Sequence, residues 1–326
     1  MATVYAAMED TLLVVSGAPE APETARELAG YDLQRVAVHP DRPGRAFCGT
    51  LDSGLYRTTD GEWERVPVEG MADRVMAVAV DPADPDVVYA GTEPSAVHRS
   101  ADGGDTWTHL TGLTDLPSAS EWAFPPRPHT HHVRWVEVDP DDSDHLYVSI
   151  EAGALVQSHD GGDTWEDRVP GSRRDNHSLT TRADAPGVVW AAAGDGYAES
   201  HDGGDTWTHP QDGLDHRYCW SVATDGEVVL LAAASGPRRA HSPGSAESYV
   251  YRRRGDGAWE RCDADLPAGS GMVRAELAAG GRTGEFYALS NRGLHHTTDA
   301  GDTWRALDVA WPGRFTRQTP NGLRVV

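Results

Sequence analysis

Ser100-Ala-Asp-Gly-Gly-Asp-Thr-Trp107 decides how this chain is read. It recurs almost unchanged at Ser158-His-Asp-Gly-Gly-Asp-Thr-Trp165 and at Ser200-His-Asp-Gly-Gly-Asp-Thr-Trp207. A near copy, Thr297-Thr-Asp-Ala-Gly-Asp-Thr-Trp304, has Ala300 in place of a glycine, and two worn copies end at Trp63 and Trp259. Around the first copy, Val75-Met-Ala-Val-Ala-Val80 alternates as a strand does, and Asp81-Pro82 turns the chain. Val87-Val-Tyr-Ala-Gly91 and Ala96-Val-His-Arg99 read as a second and third strand, and Thr106-Trp-Thr-His-Leu110 as a fourth. Four short antiparallel strands repeating every ~40 residues are the signature of a β-propeller.

The same frame fits residues 36–65, 75–110, 133–168, 179–209, 220–262 and 274–307. Unit 36–65 turns at His39-Pro40 and again at Asp60-Gly61, and unit 220–262 carries an insertion at 235–248. The termini supply a seventh unit. Thr3-Val-Tyr-Ala-Ala7, Thr11-Leu-Leu-Val-Val15 and Thr24-Ala-Arg-Glu-Leu28 align with second, third and fourth strands, and Gly322-Leu-Arg-Val-Val326 with the missing first. A strand from each end closing one sheet leaves no open array edge. The expected fold is therefore all-β: a single seven-bladed propeller over residues 1–326, with six or eight blades as the alternative counts.

Of 326 residues, 51 are acidic and 28 basic, every basic one being Arg, for a formal charge of -23. A Lys-free acidic surface suits a high-salt cytoplasm, where carboxylates stay hydrated and screened; a GC-rich genome that replaces Lys by Arg is the alternative. The charge argues against nucleic-acid and anionic-membrane partners. Cys48, Cys219 and Cys262 are too few and too scattered for a disulfide framework. Without a signal peptide or an apolar run of spanning length, a cytoplasmic monomer is expected.

In each turn motif the first Asp (Asp102, Asp160, Asp202, Asp299) can accept backbone N–H groups the turn leaves unpaired, and the glycines permit positive φ. The Trp (Trp107, Trp165, Trp207, Trp304) can wedge between neighbouring sheets. The motif lacks the ligand ladder and terminal Glu of a Ca²⁺ loop, so its expected role is structural.

Ser-x-Asp-x-Gly-x-Thr-Trp resembles the Asp-box, or BNR repeat, of the sialidase-like propellers, and the repeats cover nearly the whole chain. The chain is most similar to the single-propeller WD40/YVTN/BNR-like proteins, many of which are labelled glycosyl hydrolases. The resemblance implies that the Asp-boxes lie on the face away from the site. Sialidases carry an arginine triad whose first member sits in an Arg-Ile-Pro motif; here the first arginine is Arg26 and the motif is absent, which argues against a typical sialidase. Xyloglucanase-type relatives use two tandem propellers, where one is expected here. Photosystem II assembly-factor propellers are non-catalytic scaffolds with an arginine patch.

On the face opposite the turn motifs, two loop sets converge on the axial channel, where ligands bind in concave folds. Gln34, Arg74, Arg134, His177, Trp220, Arg274 and Arg324 lie near the innermost strand starts. Blade-linking loops add His129, His131, His132, Arg173, Arg174, His216, Arg217 and Tyr218; the insertion adds Arg238, Arg239 and His241; the C-terminal loop adds Arg314 and Arg317. Turns after second strands bring Asp52, Glu93, Glu151 and Asp195, with Asn291 at the matching place. Arg suits bidentate capture of carboxylate or phosphate, and His moves protons near neutral pH. The candidate catalytic residues are His131, His177, Glu151 and Asp195. The candidate ligand-binding residues are His129, His132, Arg134, Arg174, Arg217, Tyr218, Trp220, Arg274 and Arg324. The plainer account is that these arginines pair with the carboxylates and tie blades together.

In Pro125-Pro-Arg-Pro-His-Thr-His-His-Val-Arg134, His129 and His131 would share one side of a strand, which allows two imidazoles on one divalent metal, with His177 or Glu151 as a third ligand. Glu121-Trp122 in the same loop is a candidate lid. Arg252-Arg-Arg254 reads as a solvated strand end. No phosphate loop, nucleophile elbow or dinucleotide fingerprint is present. Two functions remain open. One is a site for a small anionic or sugar-like ligand, with hydrolase or lyase chemistry if it is an enzyme. The other is a non-catalytic scaffold whose Arg-rich face docks an acidic protein partner.

Overall fold

The computed structural model describes residues 1–59 and 61–326; Asp60, expected at a turn, lies outside them. The fold is all-β, a seven-bladed propeller of antiparallel sheets. β1 (Ala2–Ala7), β2 (Leu12–Ala18) and β3 (Glu23–Glu27) open the chain. β4 (Leu33–Val38), β5 (Arg45–Thr50), β6 (Leu55–Thr59) and β7 (Glu62–Arg65) form the next sheet, then β8 (Val75–Val80), β9 (Val88–Thr92), β10 (Val97–Ser100) and β11 (Thr108–Leu110). β12 (Val133–Val138), β13 (Leu146–Ile150) and β14 (Ala154–Ser158) follow, then β15 (Asn176–Thr180), β16 (Val189–Ala193) and β17 (Gly196–Ser200). β18 (Tyr218–Thr224), β19 (Val228–Ala234), β20 (Glu247–Arg254), β21 (Glu260–Arg261) and β22 (Gly269–Ser270) share a sheet; β23 (Glu276–Ala279), β24 (Phe286–Ser290), β25 (Gly293–Thr297) and β26 (Arg305–Ala306) make another. β27 (Gly322–Val325) pairs with β1, Val325 opposite Val4 and Gly322 opposite Ala7, so the C-terminal strand completes the N-terminal sheet. In the β12 and β15 sheets the fourth strand shrinks to single bridges, Gln157 with Glu166 and Glu199 with Thr208. Pro210, which has no N–H, stops the second of these from extending.

The chain divides into two compact units. One holds Met1–Gly30, Ala192–Tyr197 and His209–Val326, the other Tyr31–Ala191 and Ala198–Thr208. The core of the second is built from alternating Val, Ala, Leu and Tyr of successive sheets, such as Ala77, Tyr89, Val133, Val136, Val148 and Val156. Sheets approach closely because small residues stand on the second strands. A Cβ on Gly49 would lie 2.4 Å from the Val75 carbonyl oxygen, and one on Gly91 2.4 Å from Val133 Cγ1. At the equivalent place Ser149 fits by donating from Oγ to the Asn176 carbonyl at 2.6 Å.

The four good turn motifs share one geometry. Asp102 accepts from the Thr106 N–H at 2.8 Å and from its hydroxyl at 2.6 Å, while Ser100 Oγ accepts from Gly104 N–H at 2.8 Å. Hydrogen bonds from Thr106 and Ser100 hold the exposed Asp102 carboxyl down to about 2. Asp160, Asp202 and Asp299 repeat the pattern, and Gly104 takes φ 92°. Trp165 Nε1 donates to the Thr111 carbonyl of the preceding sheet at 3.0 Å, and Trp304 Nε1 to that of Cys262 at 2.9 Å.

Only Arg254 of the basic run is a solvated strand end. Arg252 and Arg253 are buried. Arg252 sits inside β20 and reaches the neighbouring turn motif, bonding Asp302 at 2.6 Å and the Ala300 carbonyl at 2.9 Å, and it also holds Glu260 at 2.6 Å. Arg57 of β6 does the same with Asp105, the Gly103 carbonyl and Glu64. A third-strand arginine thus clasps the next sheet's turn.

Candidate functional site

In the second unit, one residue stands just before each first strand: Asp32, Arg74, His132 and Asp175. At the first three of these, the residue after the second strand is pinned to it by the backbone. Glu93 N–H donates to the Arg74 carbonyl at 3.0 Å and Glu151 N–H to that of His132 at 3.3 Å. In the first of these sheets Leu51 holds that place, donating to Asp32 at 2.8 Å. Asp52 therefore stands one residue further along and is not the counterpart of Glu93, as the repeat spacing had suggested. Asp195 likewise lies exposed in the turn between β16 and β17.

A continuous run of charged groups follows. Arg127 Nε and Nη2 grip the two oxygens of Glu93 at 2.9 and 2.5 Å, and Arg74 Nη1 lies 4.0 Å from the same carboxylate. His132 Nδ1 is 3.8 Å from Glu93 Oε2, and its Nε2 is 2.8 Å from Glu151 Oε2. His132 is fully buried, and its Nδ1 has no hydrogen-bond partner among the described residues. The Phe124 ring packs edge-on against it at 4.8 Å and carries the Arg127 guanidinium at 4.7 Å. Arg134 Nε is 3.8 Å from Glu151 Oε2. Glu151, Asp175 and His177 have ligand-capable atoms within 4.8 Å of one another, with His177 Nε2 3.6 Å from Asp175 Oδ2. The Ala152 N–H fixes the other oxygen of Asp175 at 2.8 Å.

The electrostatics follow from these contacts. Burial alone would raise the Glu151 carboxyl. The hydrogen bond from His132 and the charges of His132, Arg134 and His177 outweigh it and hold the carboxyl well below its ordinary value. Glu93 is treated alike: burial raises it, and Arg127 with His132 and Arg74 wins, lowering it. Burial pushes the His131 imidazole down, and neighbouring His132 adds to the effect.

His129 and His131 do not meet on a strand. β12 begins only at Val133, because the proline-rich segment turns on itself: Arg127 N–H donates to the Phe124 carbonyl at 2.8 Å and Thr130 N–H to that of Arg127 at 3.0 Å. His129 is left exposed in that turn, while His131 Nδ1 bonds Ser95 Oγ at 2.8 Å. The metal-capable group holds His177 and Glu151 without either of them. Trp122 is no lid: it is buried, with Nε1 donating to Ser118 Oγ at 3.0 Å. Arg174 is exposed and reaches the Ala152 carbonyl at 3.2 Å.

The remaining expected residues belong to the other unit. There Arg274 stacks on the Trp220 ring at 3.7 Å and donates to Glu276 at 2.9 Å and to Asn321 Oδ1 at 2.8 Å. Trp220 Nε1 reaches Glu276 at 2.7 Å, and Tyr218 Oη lies 3.2 Å from His241 Nε2. Arg217 Nε donates to the Leu214 carbonyl at 3.4 Å, and Arg324 lies half-buried in β27. Two residues of the charged run escaped the sequence reading, Arg127 and Asp175. The signal for Asp175 was its place, immediately before a first strand like Arg74 and His132. Nothing in the sequence pairs Arg127 with Glu93.

No protein-family model and no curated protein sequence matches the chain. Solved structures do match in fold. An ancestral GH74 enzyme superposes with a TM-score of 0.66 at 17% identity over 86% of this chain and 39% of its own. The GH74 xyloglucanase from Xanthomonas campestris gives 0.64 at 18% identity over 84% of this chain and 45% of its own. YCF48 bound to D1 peptide gives 0.60 at 17% identity over 86% of this chain and 82% of its own. The likeness is one of fold. This chain spans less than half the length of the two GH74 structures. No helix among the described residues is long and apolar enough to cross a membrane.

Proposed function

We propose that the charged run of the second unit binds a small anionic or sugar-like ligand, and that His132 with Glu151 is its acid–base element. The observation that carries this is the 2.8 Å contact between His132 Nε2 and Glu151 Oε2, beside Arg134, in a chain of net charge -23. A protein of this charge repels anions in general. Arg74, Arg127 and Arg134 offset the carboxylates of this run, and guanidinium geometry suits carboxylate or phosphate groups. An ionised Glu151 keeps the imidazole proton on the shared nitrogen, as a carboxylate does in hydrolytic triads. The repeated turn motif, read as an Asp-box, supports placement among sialidase-like propellers, and the missing Arg-Ile-Pro motif sets it apart from typical sialidases. If chemistry follows binding, hydrolysis or elimination at a sugar acid fits this set.

A second reading has its own support. Arg127 is already committed to Glu93 through two hydrogen bonds, as expected where arginines tie a scaffold together. One structural neighbour is a propeller bound to a peptide. Thermal-shift and calorimetric titrations with uronic acids, sugar phosphates and acidic peptides separate the two. Saturable binding of a sugar acid that weakens at least ~tenfold in Arg134→Lys and Glu151→Gln is expected. Binding of acidic peptides alone, indifferent to Glu151→Gln, would establish the scaffold instead.

A further inference from the structure

We infer that Glu151, Asp175 and His177 form a three-ligand site for a divalent transition metal of the zinc class. The inference rests on the reading of this corner as a binding site, and it names an inorganic component which that reading does not require. One imidazole nitrogen and two carboxylate oxygens converge from two neighbouring sheets, all within 4.8 Å. His177 Nε2 and Asp175 Oδ2 are 3.6 Å apart. That is long for a hydrogen bond. It is close to the roughly 3.4 Å edge of a tetrahedron with ~2.1 Å metal–ligand bonds. Glu151 lies within 4.8 Å of both, and in the metal-bound state its carboxylate would move inward to close the set.

Each carboxylate is held from behind. Asp175 Oδ1 takes the Ala152 N–H at 2.8 Å, which leaves Oδ2 turned to His177. Glu151 Oε2 takes His132 Nε2, and His132 Nδ1 in turn faces Glu93. Outer partners of this kind orient ligands and tune a metal. The donor set selects the ion: an imidazole disfavours Mg²⁺ and Ca²⁺, and carboxylates disfavour Cu⁺. Charge is consistent as well. Two carboxylates carry two negative charges, and Arg134 at 3.8 Å from Glu151 offsets part of one, so a single dication brings the corner near neutrality. Three protein ligands leave a fourth position for water or for an anionic group of the ligand, the arrangement of catalytic rather than structural zinc.

The test uses the whole chain, stripped with a chelator and titrated with Zn²⁺ and with Co²⁺ in the absence of any organic ligand. One equivalent is expected to bind, with the visible absorption of four- or five-coordinate Co²⁺. His177→Ala and Asp175→Asn should each weaken binding by at least ~tenfold, while His129→Ala should not change it. Asp175→Asn keeps the shape of the residue, and an unchanged melting temperature of the stripped variant shows that its fold survives. Absence of stoichiometric binding, or binding that survives both ligand variants, would overturn the metal site. Sugar-acid binding by the stripped protein would still support the ligand reading, so the two ideas fail separately.

Discussion

His132 and Glu151 are bonded twice, once through side chains at 2.8 Å and once through the backbone, where Glu151 N–H donates to the His132 carbonyl at 3.3 Å. The double contact locks a buried imidazole to a carboxylate of its own sheet. Replacing His132 by Ala removes the imidazole hydrogen bond to Glu151 Oε2 and leaves a cavity at a fully buried position. Urea denaturation should show a loss of about 2–4 kcal/mol. His132→Gln restores a donor and should recover part of that loss.

The same carboxylates set the acid limit of stability. Glu151 and Glu93 are both lowered from the ordinary 4.5 in the folded chain. A depressed carboxyl binds fewer protons folded than unfolded, so its contribution is fully present above the unfolded value and is lost as pH falls through the folded one. Stability should therefore hold from neutrality to about pH 5 and fall below it, each carboxyl adding up to about 1.4 kcal/mol per pH unit to the slope. Urea midpoints measured from pH 7 to 3 test this. Glu151→Gln should flatten the acid limb relative to the parent, and a slope unchanged by the substitution would contradict the assignment.

How legible this was in the sequence depends on what each residue answers to. Blade register comes from alternation along strands and from a turn whose chemistry is local, so the seven sheets and the closure of β1 by β27 could be read directly. The same register brought His132, Arg134 and His177 to first-strand starts and Glu93 and Glu151 to the second-strand ends beside them. It misled at Asp52, because one residue of slip at a strand end is invisible where Leu51 can fill the place. His129 failed for another reason: prolines at 125, 126 and 128 fold the segment back on itself, and strand periodicity does not apply there. The Arg127–Glu93 pair joins residues 34 apart in sequence, and no local pattern announces such a contact.

The arginine clasps predict a stability cost unrelated to ligand. Arg252 is nearly buried and satisfies Asp302, Glu260 and the Ala300 carbonyl at once. Arg252→Ala should destabilise by about 1–3 kcal/mol, largely through the carbonyl left without its donor and the lost packing of the aliphatic stem. Arg252→Lys keeps the charge but cannot fork to three acceptors, and should fall between the two. Arg57→Ala, at the equivalent clasp, should cost less because Arg57 is more exposed. Equal effects at the two positions would show that burial of the guanidinium is not what matters.

Gly91 offers the sharpest test of how closely the sheets pack. A Cβ there would sit 2.4 Å from Val133 Cγ1 and 2.7 Å from Val133 Cβ, and Val133 is fully buried at the start of β12. Neither side can yield easily, because a valine in a strand has few χ1 choices and its Cβ moves only with the backbone. Gly91→Ala should therefore destabilise by about 1–3 kcal/mol despite the usual gain from removing a strand glycine. The remedy lies across the interface. Val133→Ala alone leaves a small cavity and should also destabilise, but combined with Gly91→Ala it makes room for the new methyl. The double variant should be more stable than the sum of the single losses predicts, with a coupling of about 0.5–3 kcal/mol by chemical denaturation. Strict additivity would mean that the β9–β12 contact is looser than its geometry indicates. A positive coupling would also tie the strand carrying the Glu93 turn to the strand that follows His132.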